Sequence, residues 1–251
     1  MSVTPPAPPP PPDLPVPASR ALDDFLLAAR AALGGNLVSA VLFGSGAEGA
    51  LRPESDLNLV LVLREVSEGA LGALRPAFRA AQAAARLEVM FLLESEIEDA
   101  AEAFAVKFAD IARRRRVVYG PDSFAGLQVP RDALRRRLGQ SLLNLMLRLR
   151  EAYALHGGSD DEAARTVASF VGPLRATAAS ILALEGAAVP RPKEALRTLA
   201  AALPGDGWNA LVERLSAVRE QRPLASGEAP GILARLPELA RLLRERARGA
   251  L

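Results

Sequence analysis

The sequence predicts a small α/β domain followed by an all-helical domain. Up to about residue 125, short apolar runs typical of buried strands alternate with amphipathic helical patterns. Beyond Pro130, apolar residues recur at steps of three and four, and prolines separate the segments, as is typical of successive helices. We therefore divide the chain into a Pro-rich tail (1–18), an α/β domain with a small mixed sheet (19–128) and a helical-bundle domain (129–251).

Composition excludes several classes of function. The 251 residues are 50% hydrophobic, which is enough for real cores. The absence of cysteine excludes disulfides, thiolate catalysis and cysteine-ligated zinc, and a single histidine excludes a histidine metal cluster within one chain. The net charge of +2 does not predict nucleic-acid binding. No apolar run approaches the roughly 20 residues that span a bilayer, so we expect a cytoplasmic protein without a membrane partner.

The N-terminal part of the chain predicts a tail and one helix. Residues 1–17 contain nine prolines, which favour an extended tail. Such a tail is either a ligand of a proline-binding module or simply solvated, and the second interpretation is favoured. Ser19 is a suitable cap for a helix over 20–33.

The elements that follow are predicted from the hydrophobic pattern. Strands are expected at 37–43, 57–63, 86–92 and 117–119. Helices are expected at 47–50 (a short piece), 67–85, 94–103, 131–155, 159–185, 193–202, 207–220 and 231–248. Residues 104–111 fit a helix or a strand equally well.

One stretch of the α/β domain carries a motif. A strand ends in Gly44-Ser45, and ten residues later Ser55-Asp56-Leu57-Asn58 opens the next strand. This combination, with Glu88 on the third strand, resembles the DNA polymerase β-type nucleotidyltransferase superfamily over about residues 20–125. The segments 117–122 and 147–153 look like uncharacterised bacterial nucleotidyltransferase-domain proteins with a helical partner domain. The two-domain plan is also similar to that of the aminoglycoside nucleotidyltransferases.

The resemblance implies a nucleotide site. Gly44 and Ser45 would bind the phosphates of a nucleoside triphosphate, since a glycine lets the backbone approach them closely. Side chains alternate along a strand, so Asp56 and Asn58 face the same side. Asp56 and Glu88 would hold Mg²⁺ and serve as the catalytic carboxylates, with Asn58 as a further nucleotide or metal contact.

Asn58 departs from the superfamily pattern, which has a second carboxylate at this position. An amide oxygen can ligate Mg²⁺ but brings no charge, and hard cations depend on anionic oxygens. The loss would raise the barrier to transfer by about 3–5 kcal/mol. The sequence therefore leaves open whether the protein is an enzyme.

Three functions follow, and we favour the first slightly. It is a nucleotidyltransferase-like protein that binds nucleotide with weak or absent catalysis. The second is an active enzyme that transfers a nucleotidyl group to a hydroxyl of a small molecule or protein. The third is an antitoxin-like or scaffold protein that acts through its helical domain, for which homodimerisation is also open.

Other polar and aromatic residues have simpler explanations. The run Arg113–Arg116 predicts a solvated helix face in preference to a phosphate or RNA contact. His156 is expected to favour the negative end of a helix. Trp208 and Phe170 are expected in a core or in packing between domains. Arg52 and Arg64 flank the motif, and either has the length to reach a triphosphate.

Overall fold

The computed structural model describes residues 14–51, 55–187, 191–220 and 224–249. It divides into two compact units, Met1–Val129 and Pro130–Leu251. Most of the predicted tail and Arg52 lie outside the described residues.

The first unit is built on a four-stranded mixed sheet. Its strands are β1 (Leu37–Phe43), β2 (Leu57–Leu63), β3 (Leu87–Leu93) and β4 (Arg115–Tyr119), in the spatial order β3-β2-β1-β4. Strands β2 and β3 are parallel, whereas β1 pairs antiparallel with both β2 and β4. A parallel neighbour requires a crossover, and the helix between β2 and β3 provides it. The predicted mixed sheet with helices is confirmed.

Helices cover both faces of this sheet. Helices α1 (Val16–Leu33) and α2 (Glu68–Ala85) pack on one face, where Phe25 and Leu74 join the odd-numbered residues of β2 in one buried core. The helices α3 (Ile97–Ala103) and α4 (Ala105–Arg113) lie on the other face, where Phe108 contributes to a second core with the even-numbered residues Val60 and Val62. A strand buried on both faces explains why β2 is an almost unbroken apolar run.

Two predictions about local structure are wrong. Helix α1 begins at Val16, and Ser19 is inside it, because the Ser19 amide donates to the carbonyl of Pro15 at 3.0 Å. Proline at the second helical position is tolerated, since amides of the first turn have no partner within the helix. Residues 47–50 form turns and not a helix, closed by the Ala50 amide on the Ser45 carbonyl at 2.9 Å.

The four-arginine run is not a solvated helix face. Arg113 ends α4, whereas Arg115 and Arg116 belong to β4, and the four residues are half-buried. Between them, Arg114 forms ion pairs with Asp110 (2.7 Å) and Glu48 (2.9 Å). The run therefore joins a helix to an edge strand through specific carboxylates.

The second unit is helical, as predicted. Its helices are α5 (Arg131–His156), α6 (Asp160–Leu184), α7 (Pro192–Ala201), α8 (Trp208–Arg219) and α9 (Glu228–Gly249). Helix α6 contacts each of the other four. Phe170 and Trp208 are buried in this unit, and His156 ends α5, as expected. Helix α9 starts before Pro230, which falls in its first turn, where proline is tolerated.

Helix α6 is the one described helix long and apolar enough to cross a membrane. Of its most apolar 18-residue window, 67% is buried in the folded protein. Packing against the other helices of the unit accounts for this composition.

The pair Arg115–Asp122 gives the first unit a pH-dependent contribution to stability. Burial alone would raise the pKa of Asp122, but hydrogen bonds from Arg115 and from the Phe124 amide, with the Arg115 charge, hold that pKa below its usual value. A lowered carboxyl pKa stabilises the folded state above the unfolded pKa of about 3.9, and this stabilisation is lost as pH falls through the folded pKa.

Asp122→Asn is therefore expected to lower the free energy of unfolding by about 1 kcal/mol at pH 7. The difference from the parent should shrink as the pH falls below about 4. Urea unfolding of the parent and the variant, at pH 7 and below about pH 4, measures this difference in the free energy of unfolding. Asp132→Asn, which changes an exposed partner of Arg135, is the matched control and should have a smaller effect. An equal loss at both pH values for Asp122→Asn would contradict the prediction.

Candidate functional site

The turn after β1 is tight and is packed against the start of β2. Gly44 has φ +68°, and its amide donates to the carbonyl of Arg114 at 3.1 Å. A Cβ at Gly44 would meet no neighbouring atom, so the space above this residue is open. A Cβ at Gly46 would lie 2.7 Å from Leu57 Cδ1. Glycine thus suits the positive φ of Gly44, and a side chain at Gly46 would require Leu57 to shift.

Three donors of this turn make no hydrogen bond to a described residue. Within the part of the chain that the structure describes, the amides of Ser45 and Gly46 donate no hydrogen bond, and the Ser45 hydroxyl makes none. Ser45 is half-buried. Successive backbone amides in a turn form a concave site for an anion. The amide of Gly44 is not among these donors, because it is bonded to Arg114.

The strand register brings Glu88 next to Asn58. The two residues are Cα partners across the parallel β2–β3 pair, and Phe43 is the partner of Asn58 on β1. Alternation points Asn58 and Glu88 to the face of α3 and α4, beyond the buried Val60. Glu88 is exposed and Asn58 is half-buried. The Nδ2 of Asn58 donates to the Asp56 carbonyl at 3.2 Å, which leaves the Asn58 Oδ1 as an acceptor.

Asp56 lies one step outside the ladder and is opposite Arg86. The Arg86 Nε donates to the Asp56 Oδ1 at 2.8 Å, and both side chains are substantially exposed, at 56% for Arg86 and 40% for Asp56. Such a pair is worth about 0–1 kcal/mol, so a bound cation can compete for the carboxylate. Arg86 is also the non-glycine residue with positive φ (+50°) in the described chain. It caps the C-terminus of α2 in the left-handed conformation and directly precedes β3.

Asp56 and Glu88 are therefore diagonal neighbours across β2 and β3. With about 3.3 Å per residue along a parallel strand and about 4.8 Å between strands, such positions are about 8 Å apart, a gap over which side chains can approach each other. Asn58 lies between the two carboxylates along the same face.

The donor set suits one Mg²⁺ ion. No group of three or more histidine, aspartate or glutamate residues able to hold a metal occurs among the residues that the structure covers. Mg²⁺ is often bound by only one or two carboxylates, and substrate phosphates and water complete its octahedron. Asp56, Glu88 and the Asn58 Oδ1 fit that pattern, but they do not supply the charge for two ions.

Two residues of this region were missed by the sequence analysis. Arg86 precedes Glu88 by two positions, and its ion pair with Asp56 brings it to this region. Lys107 of α4 lies with its Nζ 5.9 Å from the centroid of the Phe43 ring. The sequence could not place Lys107, because residues 104–111 fit a helix or a strand equally well. Arg64, in contrast, follows the far end of β2, donates to the Gly35 carbonyl and does not belong to this site.

The fold is similar to that of a known adenylyl-transferring enzyme. No protein-family model matches the chain, and no curated protein is significantly similar to it. A solved structure of spectinomycin adenyltransferase AAD(9) from Enterococcus faecialis, with ATP and spectinomycin, superimposes with a TM-score of 0.61. The match covers 89% of this chain and 99% of that chain at 15% identity. With its mixed sheet, helical second unit and this similarity, the chain has the nucleotidyltransferase fold.

Proposed function

We propose that the protein binds a nucleoside triphosphate with Mg²⁺ at the ends of β1, β2 and β3, with slow or no nucleotidyl transfer. The observation that carries the proposal is the position of Asn58 between Asp56 and Glu88, in register with Glu88. Two carboxylates and one amide suit a single ion bound with phosphates.

The turn and the strand ends would bind different parts of the nucleotide–Mg²⁺ complex. The amides of Ser45 and Gly46, which donate to no described residue, would donate to phosphate oxygens. Asp56 and Glu88 would hold the ion, which neutralises phosphate charge when bound. Breaking the exposed Asp56–Arg86 pair costs little, so a bound ion can compete for the Asp56 carboxylate.

Weak catalysis follows from the amide at position 58. Nucleotidyl transfer builds negative charge on the attacking and leaving oxygens, and two ions held by carboxylates normally stabilise it. With Asn58 the site has one negative charge fewer than the superfamily pattern and attracts a second ion less. Ground-state binding needs only the first ion, so it depends less on this position.

Adenylyl transfer to a small-molecule hydroxyl is a second candidate. The similarity to AAD(9), solved with ATP and spectinomycin, favours it. The exposure of Glu88 on the site face supports it as well, because an exposed carboxylate next to bound nucleotide is accessible to an acceptor hydroxyl.

Calorimetry with ATP and Mg²⁺ tests the proposal. The parent is expected to bind, and Asp56→Ala is expected to weaken binding at least about tenfold, because one of two metal carboxylates is removed. Asp132→Ala is the matched control, since Asp132 also forms an exposed ion pair with an arginine, in the helical unit. Absence of heat from the parent at millimolar nucleotide would overturn the proposal.

A transfer assay separates the two candidates. The parent is incubated with labelled ATP, Mg²⁺ and a panel of aminocyclitol and aminoglycoside acceptors. Transfer that is fast in the parent and abolished in Asp56→Ala would establish the second candidate. Binding without transfer supports the first.

A further inference from the structure

The chain uses lysine very sparingly. Of its 31 basic residues only Lys107 and Lys193 are lysine. Lys193 forms an ion pair with Glu220 at 2.8 Å in the helical unit. Lys107, on α4, is exposed and forms no ion pair with any residue that the structure describes. Its ammonium is therefore available to an anion from solution.

The Lys107 side chain lies near residues of two strands, β1 and β3. Its ammonium lies 5.9 Å from the ring of Phe43 on β1. The same side chain lines a groove of about 580 Å³ with Met90 and Leu92 of β3. Because β2 lies between β1 and β3, Lys107 stands over β2. Phe43 pairs with Asn58, so Lys107 lies over the end of β2 that carries the site.

The charges around Lys107 leave room for an anion. The groove is also lined by Glu96 and Asp99, but neither carboxylate comes within ion-pair distance of the ammonium. Glu96 instead accepts from the Leu93 amide at 3.0 Å. The Phe43 ring offers a weak cation–π contact, which does not replace a counter-ion. Phe43 directly precedes the Gly44-Ser45 turn, so an anion bound at that turn lies close to Lys107.

We infer that Lys107 binds the triphosphate of the nucleotide and supplies positive charge beside Asn58. This inference rests on the proposed function. With an amide at position 58 the site attracts one divalent ion, and the ammonium contributes the additional positive charge that the triphosphate needs. Asn58 and Lys107 form a complementary pair, because a carboxylate at 58 would attract Lys107 away from the phosphates.

Binding of ATP–Mg²⁺ and of inorganic tripolyphosphate to the full chain tests this role. Lys107→Gln is expected to weaken both by about 10- to 100-fold, as for loss of a charge-assisted hydrogen bond. Lys107→Arg should retain most of the affinity, because the charge is kept. Lys193→Gln, the matched control at the other lysine, should bind as the parent does. Thermal unfolding should show that Lys107→Gln is folded, and Lys107→Arg provides a second variant should glutamine perturb α4.

The outcomes distinguish a failure of the Lys107 inference from a failure of the proposed function. Parent binding that is unchanged in Lys107→Gln would overturn the role of Lys107 and leave the proposed function in place. A parent that binds neither ATP–Mg²⁺ nor tripolyphosphate would overturn both. Weaker binding in Lys107→Gln, with recovery in Lys107→Arg and no effect in Lys193→Gln, supports the inference.

Discussion

Replacing Asn58 with aspartate is expected to raise the rate of nucleotidyl transfer by about a hundredfold or more over the parent. Asn58 has Glu88 as its partner on β3 and lies between that residue and Asp56, so a carboxylate there completes a set of three on one face. Three carboxylates attract two divalent ions, which stabilise the charge that develops on the attacking and leaving oxygens. The measurement is single-turnover transfer from labelled ATP in the presence of Mg²⁺.

The same variant has a readout that does not depend on the acceptor. Without Mg²⁺, three neighbouring carboxylates repel one another, so Asn58→Asp should unfold at a lower temperature than the parent. Added Mg²⁺ should raise the melting temperature of the variant more than that of the parent, because an ion binds the folded state selectively. Asn144→Asp makes the same charge change at an exposed position of α5 and should respond to Mg²⁺ as the parent does. If Asn58→Asp binds ATP but shows neither effect, position 58 does not control the metal site.

Replacing Gly120 with alanine is expected to lower the free energy of unfolding by about 4 kcal/mol or more. Gly120 has φ +71°, and an added Cβ would lie 2.1 Å from the carbonyl oxygen of Val38. The Val38 oxygen belongs to the backbone and the Cβ is fixed by the backbone of residue 120, so no side-chain rotation can relieve the contact. Gly120 follows Tyr119, whose partner on β1 is Ala40, and the clash therefore separates β4 from the sheet. A loss of this size is a large part of the stability of a typical domain.

Urea unfolding followed by two signals measures this loss. Far-UV circular dichroism reports both units, whereas the single tryptophan, Trp208, belongs to the helical unit. We expect the circular dichroism of Gly120→Ala to show an unfolding transition at a lower urea concentration than that of the parent. Gly126→Ala is the control, because Gly126 also has positive φ (+74°) but an added Cβ meets no atom there. It should lose only about 1 kcal/mol, the cost of the left-handed conformation. Equal losses in the two variants would show that the Val38 contact does not matter.

The parts of the fold that were predictable are those in which local pattern and tertiary packing agree. Strand β2 was evident as a run that is apolar on both faces, and the structure buries both faces under separate cores. Helix α4 was undecided, because nine residues with Phe108 and Ile111 in the core fit either period. Ser19 was misplaced since any serine before an apolar pattern resembles a cap, and only the structure shows that the helix starts at Val16.

The sequence predicts which site residues within one strand share a face, but not which residues of different strands lie side by side. Alternation gave the common face of Asp56 and Asn58, but pairing of strands decides that Glu88 lies beside Asn58 and Arg86 beside Asp56. The arginine run shows the same limit. The partners of Arg114 include Glu48, which is 66 residues away, and no sequence period predicts such a pair. Lys107 could not be assigned for the same reason, since its neighbours come from β1 and β3.

In and beside strand β2, the residues that form the cores are different from the residues of the candidate site. Leu59–Leu63 are fully buried, whereas Asp56, Asn58 and the neighbouring Glu88 are half-buried or exposed. Substitutions at these three positions should therefore leave the cores intact, whereas changes a few residues further along β2 would not. A saturation library confined to positions 56, 58 and 88 would consist largely of folded proteins. The fold is in this respect suited to directed evolution towards new metal and nucleotide preferences.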